Sequence, residues 1–143
     1  MPNTPKDLSF EAPTAPGIFV AMQQEAPDVK IGVNVDFSEF EENVFEVVLK
    51  IDAAATISDE TAFLLELEYG GLFTINVEDE VKGAVLLIEC PRLLFPFARN
   101  ILADVSRDGG FPPLMLGPMD FAGMYQQQLA TQAEAGTQPP TEP

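Results

Sequence analysis

Histidine and tryptophan are absent from this 143-residue chain, cysteine occurs once (Cys90), and seven Lys and Arg stand against 23 Asp and Glu. Each scarcity narrows the function. Without His the chain lacks the side chain that most often serves as acid or base near neutral pH, and Ser-His or Cys-His nucleophiles cannot be built. One cysteine cannot close an internal disulfide, which suits a reducing compartment. A formal charge of -16 disfavours DNA and anionic membranes, because both are recognised by cationic surfaces. No apolar run is long enough to cross a bilayer or resembles a secretory leader, so the expected location is the cytoplasm. Neither a Gly-rich phosphate loop nor metal-ligand spacing occurs. The adjacent acids Glu41-Glu42, Asp59-Glu60 and Glu78-Asp79-Glu80 read as solvated turns. The expectation is no enzyme, no cofactor and no metal.

What is present is grease and negative charge together. Hydrophobic residues make up 46% of the chain, and eleven of them are Phe. A soluble chain of that kind suits holding sticky or cationic partners, such as unfolded polypeptides or basic proteins. Its length fits one domain, which at this size buries roughly 70% of the unfolded surface. The rival to a holding function is an acidic interaction protein, or nucleic-acid mimic, that sequesters basic proteins. A small-molecule or lipid binder with an enclosed cavity is a further rival.

Hydrophobic periodicity places the strands. Val29, Ile31, Val33, Val35 and Phe37 alternate with polar residues, the period-two mark of a half-buried strand. Residues 44–57 repeat it with Phe45, Val47, Leu49, Ile51 and Ile57 on one face. Ser58-Asp59 forms a tight turn, after which Phe63, Leu65, Leu67 and Tyr69 point inward and Glu60, Leu64, Glu66 and Glu68 outward. Gly70-Gly71 predicts a bulge or bend before residues 72–75. A short strand fits Asp7 to Glu11.

Beyond about residue 80 the period changes. Cys90, Leu93, Leu94, Phe97, Ala98, Ile101, Leu102 and Val105 recur at helical spacing as one broad stripe. Pro91 fits a first turn, Pro96 should kink the helix, and Gly109-Gly110 should end it. Asp120 is placed to cap a last helix carrying Phe121, Met124, Tyr125 and Leu129. Strands followed by helices predict an α+β domain: a four-stranded antiparallel sheet on a long kinked helix, plus a shorter C-terminal helix. Residues 1–5 are expected to be flexible, 6–129 to form the domain, and 130–143 to be disordered. The wide stripe either packs within its own subunit or serves two sheets from two subunits.

Five segments together resemble the SecB family of bacterial protein-export chaperones. They are Asp7 to Pro13; Val44 to Lys50; Glu60 to Leu64 running on to Gly70-Gly71-Leu72-Phe73; Cys90-Pro91 with Leu94 to Arg99; and Val105-Ser106-Arg107 leading into Gly110 to Leu114. The likeness spans roughly residues 6–129 in order. It departs where the early crossover loop has no Trp. The resemblance implies a homotetramer, a dimer of dimers with sheets outside and long helices between. It implies an ATP-independent holdase that keeps precursor proteins unfolded and delivers them to the SecA motor.

On that basis Leu65, Leu67, Tyr69, Leu94, Ala98 and Ile101 are expected at subunit contacts. Asp7, Glu11, Leu64 and Glu66 match the family surface that docks the basic, zinc-bearing tail of SecA; the zinc belongs to that partner. An apolar residue among carboxylates suits an anchor with an electrostatic rim. A client groove, needing adaptable Met and Phe, is expected where Phe19, Met22, Val29, Ile31 and Val33 meet Met119, Phe121, Met124, Tyr125 and Leu129.

Overall fold

A computed structural model describes the backbone of residues 3–137 and the side chains of residues 3–131. Four strands form one antiparallel sheet: β1 (Asn3–Glu11), β2 (Asp28–Glu41), β3 (Val44–Ile57) and β4 (Glu60–Thr74), in the order β1-β4-β3-β2. Two-residue turns join β2 to β3 and β3 to β4. Asn43 has φ 63°, and Ser58 and Asp59 have φ 50° and 67°. Left-handed backbone at such turns matches the twist of the strands they join. The chain between β1 and β2 carries the short helix α1 (Ile18–Met22) and crosses over, leaving β1 at the far edge beside β4.

The strands are longer than periodicity predicts at two points. β1 starts at Asn3, pairing with Gly71, so Asn3 to Pro5 lie in the sheet where flexible chain was expected. β4 runs straight through Gly70-Gly71, and the bulge sits on β1, between Pro5 and Asp7. Gly71 answers a packing demand: a Cβ there would fall 2.9 Å from Leu94 Cδ2. Gly70 leaves room on the other face for the Lys6 stem, whose Cδ would stand 3.0 Å from a Cβ.

The inner face buries Val47, Leu49, Ile51, Leu65 and Leu67 in one cluster with Leu86, Leu94, Ala98 and Leu102 of the covering helix. Each large aliphatic side chain so buried contributes roughly 1.5–3 kcal/mol. The helix begins well before Cys90. α2 (Asp79–Ala84) passes into a π turn (Val85–Glu89) and then α3 (Cys90–Asp108) without a break. The Cys90 N–H bonds to the Val85 carbonyl, five residues back. Pro91 has no N–H to offer the turn before it, and the widened turn takes up that defect. α3 continues through Pro96 as one helix, and the π turn lies upstream of Pro91.

α3 ends as expected, with Gly109 at its C-cap and Gly110 at φ +97°. The fully buried Ser106 hydroxyl donates to the Leu102 carbonyl at 2.8 Å and accepts from the Leu114 N–H at 2.8 Å, pinning the following loop. Phe10, Phe63, Phe111 and Phe19 stack beside that loop, at centroid distances of 5.6 Å, 4.9 Å and 5.0 Å along the series. α4 (Phe121–Thr137) starts under Asp120, whose Oδ1 accepts from the Gly123 N–H at 2.9 Å. It extends past Ala130 into the segment expected to be disordered; residues 138–143 lie outside the described residues.

Candidate functional site

Three surfaces carry the sequence-predicted residues. On the outer sheet face, pairing register builds rows across the strands. Glu11 lies opposite Leu64, which lies opposite Ala54; Ser9, Glu66 and Asp52 form the next row; Asp7, Glu68 and Lys50 the one after. Asp7, Glu11, Leu64 and Glu66 therefore come together on one exposed face of two neighbouring strands. Leu64 is 40% exposed among them. Glu68 and Asp52, which the same alternation turns outward, join this face beside the expected docking residues.

Two cations of this face are engaged. Lys50 Nζ lies 2.8 Å from Asp36 Oδ2, and Lys6 Nζ lies 2.8 Å from Glu46 Oε2. The hydrogen bond and charge of Asp36, with a contribution from Glu68, hold the Lys50 ammonium above its usual range. Among the described residues Asp7, Glu11, Asp52 and Glu66 form no ion pair. The patch keeps its negative charge.

A groove of about 770 Å³ opens between the free edge of β2 and α4. Val33, Met124 and Tyr125 of the predicted client set line it, joined by Val35 of the same alternating face, by Leu87, and by the polar Asn34, Asp36, Lys50, Gln127, Gln128 and Thr131. Gly83 makes space for Tyr125, whose hydroxyl would stand 3.1 Å from a Cβ at that position. The other predicted residues disperse. Phe121 is sealed in the core, its ring 5.9 Å from that of Phe95. Phe19 belongs to the aromatic stack under α1. Met22, Val29 and Met119 are half-buried against the core, while Ile31 and Leu129 are exposed outside the groove lining.

The third surface is α3. Leu65, Leu67, Tyr69, Leu94 and Ala98 are all buried within this one chain, and Ile101 is half-buried. Within this one chain the contact of β4 with α3 covers them. Leu93 and Phe97, on the same helix, stay 56% and 50% exposed, with Phe97 stacked on Tyr69 at 6.2 Å. The stripe read as one face is split by the helix into a buried half and an open half.

Cys90 is buried, and burial, with Glu89 adding its charge, pushes its thiol up to about 11. It is a protonated core side chain. Among the described residues no group of three His, Cys, Asp or Glu could hold a metal ion, and no helix is long and apolar enough to cross a membrane.

Comparison with known proteins agrees with this geometry. The family model described as preprotein translocase subunit SecB matches residues 5–132. The protein-export protein SecB of Paramagnetospirillum magneticum is 51% identical over 125 residues, covering 87% of this chain and 81% of that one. That of Parvibaculum lavamentivorans is 51% identical over 137 residues, covering 94% and 81%. Among solved structures, the SecB-like chaperone of Mycobacterium tuberculosis, in complex with a ChAD peptide from an antitoxin, superposes with a TM-score of 0.70. Its 15% identity, over 84% of this chain and 88% of that one, supports the shared fold alone. With the antiparallel sheet, its covering helix and 51% identity to export chaperones over most of the chain all in agreement, the chain belongs to the SecB family of protein-export chaperones.

Proposed function

We propose that this chain is a non-enzymatic, ATP-independent holdase of the cytoplasm. It works as a homotetramer, a dimer of dimers, keeps precursor proteins unfolded and passes them to SecA. One observation supports this most: the groove and the docking residues sit toward opposite edges of the sheet. The groove follows the β2 edge and reaches Lys50 of β3, whereas Asp7, Glu11, Leu64 and Glu66 lie on β1 and β4. A chain so arranged holds a client and meets a motor at the same time. Flexible Met124 and flat Tyr125 suit clients that share unfoldedness and no sequence. Leu64, rimmed by Glu11 and Glu66, suits a short basic tail with an apolar residue. Leu93 and Phe97, exposed on α3, are the helix surface that meets another subunit.

The test is Glu66→Lys. Its affinity for the SecA tail should fall, most strongly at low salt, while suppression of client aggregation persists. Unchanged affinity would remove the docking surface from the account.

A further inference from the structure

The outer sheet face carries a second apolar feature, eight residues along β4 from Leu64. The β2–β3 register slips between Glu39 and Glu41, which leaves Phe40 unpaired and 63% exposed. Phe40, Leu72, Thr4 and Gly70 line a shallow pocket of about 280 Å³. The missing side chain of Gly70 helps keep it open. Glu46, also on its wall, is neutralised by Lys6 at 2.8 Å, so the pocket itself is apolar in character. Between this pocket and Leu64 stand Asp7, Glu68, Glu66 and Asp52, rows apart on neighbouring strands. Eight residues of strand span about 26 Å at roughly 3.3 Å per residue.

We infer that the outer face docks one extended basic segment of a partner protein at two points. One apolar side chain of the segment sits on Leu64. A second, eight residues away, enters the Phe40–Leu72 pocket, and Lys or Arg between them lie over the carboxylates. The inference rests on the reading that the Leu64 patch docks a basic partner tail, and it names the chemistry that such a tail must have. Charge complementarity selects the occupant: among the described residues none of the intervening acids Asp7, Glu66, Glu68 and Asp52 forms an ion pair, and Lys50, whose field reaches Glu68, is held by Asp36. Fixed spacing separates this surface from the client groove, since unfolded clients present apolar residues at every spacing. Two weak anchors joined by a chain of matching length bind far more tightly than either alone.

The test uses the full-length assembled protein and a fluorescent, roughly 14-residue Lys-rich peptide with two leucines eight positions apart. Its control is an isomer of the same composition with the leucines adjacent. At low salt the spaced peptide should bind about tenfold more tightly by anisotropy, a difference within reach of two-point attachment. Phe40→Ser and Leu64→Ser should each reduce it to the level of the isomer, and Met124→Ser should not. Equal binding of the two peptides, or a spacing advantage that survives Phe40→Ser, overturns the inference. If Phe40→Ser instead splits the assembly in sedimentation, the pocket is a contact between copies and the inference also falls. In each of these cases loss of SecA-tail binding in Glu66→Lys still upholds the underlying docking surface, so the two readings fail separately.

Discussion

Gly71 lacks a side chain because Leu94 occupies its space: a Cβ on Gly71 would fall 2.9 Å from Leu94 Cδ2. The contact joins β4 to α3 at the centre of the core. Gly71→Val should destabilise the fold by about 1–3 kcal/mol through overpacking. Leu94→Ala alone should cost about 2–5 kcal/mol through its cavity. The double variant should lose less than the two losses added, because each change relieves the other. Urea denaturation at one fixed protein concentration measures this; strict additivity would mean that the two residues do not meet.

Cys90 supplies a pH test. Its thiol rises from 9.0 to about 11 on folding, by burial first and the charge of Glu89 second. The unfolded chain then loses its proton at lower pH than the folded one. Stability from this group is complete below pH 9 and declines as pH rises from 9 to about 11. Cys90→Ala should flatten that part of the stability curve. At pH 7.5 a thiol reagent should label the native protein slowly and the urea-unfolded protein at once; rapid native labelling would place the thiol at the surface.

Leu93 and Phe97 give a test of assembly. Both are exposed on α3, whereas Leu94 and Ala98 face the sheet. Leu93→Ser with Phe97→Ser should lower the sedimentation coefficient at micromolar concentration and leave the far-ultraviolet dichroism of the fold intact. The same substitutions at Leu94 and Ala98 should unfold the chain. A double surface variant that stays fully assembled would move the subunit contact elsewhere.

How much of this was legible in the sequence follows from where each signal originates. Alternation located β2, β3 and β4; on β3 and β4 one face is buried and the other is not, while the apolar face of β2 is only half-covered, with Ile31 and Phe37 exposed. It also placed Leu64 and Glu66 outward without any structure. Local chemistry marked the Ser58-Asp59 turn, the Asp120 cap and the Gly109-Gly110 stop, each a backbone need met by its own residues. The misreadings are long-range. Gly70-Gly71 resembles a break until Leu94 and Lys6 are seen to fill the space above and below it. Pro91 resembles a helix start, because a π turn ahead of it cannot be read from composition.

The site was legible in part for the same reason. Periodicity says that Leu93, Leu94, Phe97 and Ala98 share a broad stripe, yet helix orientation against the sheet decides which half is buried. Phe19 and Phe121 resemble groove residues by type, but Phe111 holds Phe19 half-buried against the core and Phe95 helps seal Phe121 within it. Met124, Tyr125 and Val33 do meet across a groove, and that could be expected only as a pairing of two distant segments.

Light scattering of a chemically denatured precursor, diluted into buffer with and without this protein and with no nucleotide, tests the holding function most directly. Aggregation should be suppressed at about one tetramer per client, and Val33→Ser with Met124→Ser should weaken that suppression while the tetramer persists. Aggregation that proceeds unchanged, or that is prevented only when ATP is added, would contradict it.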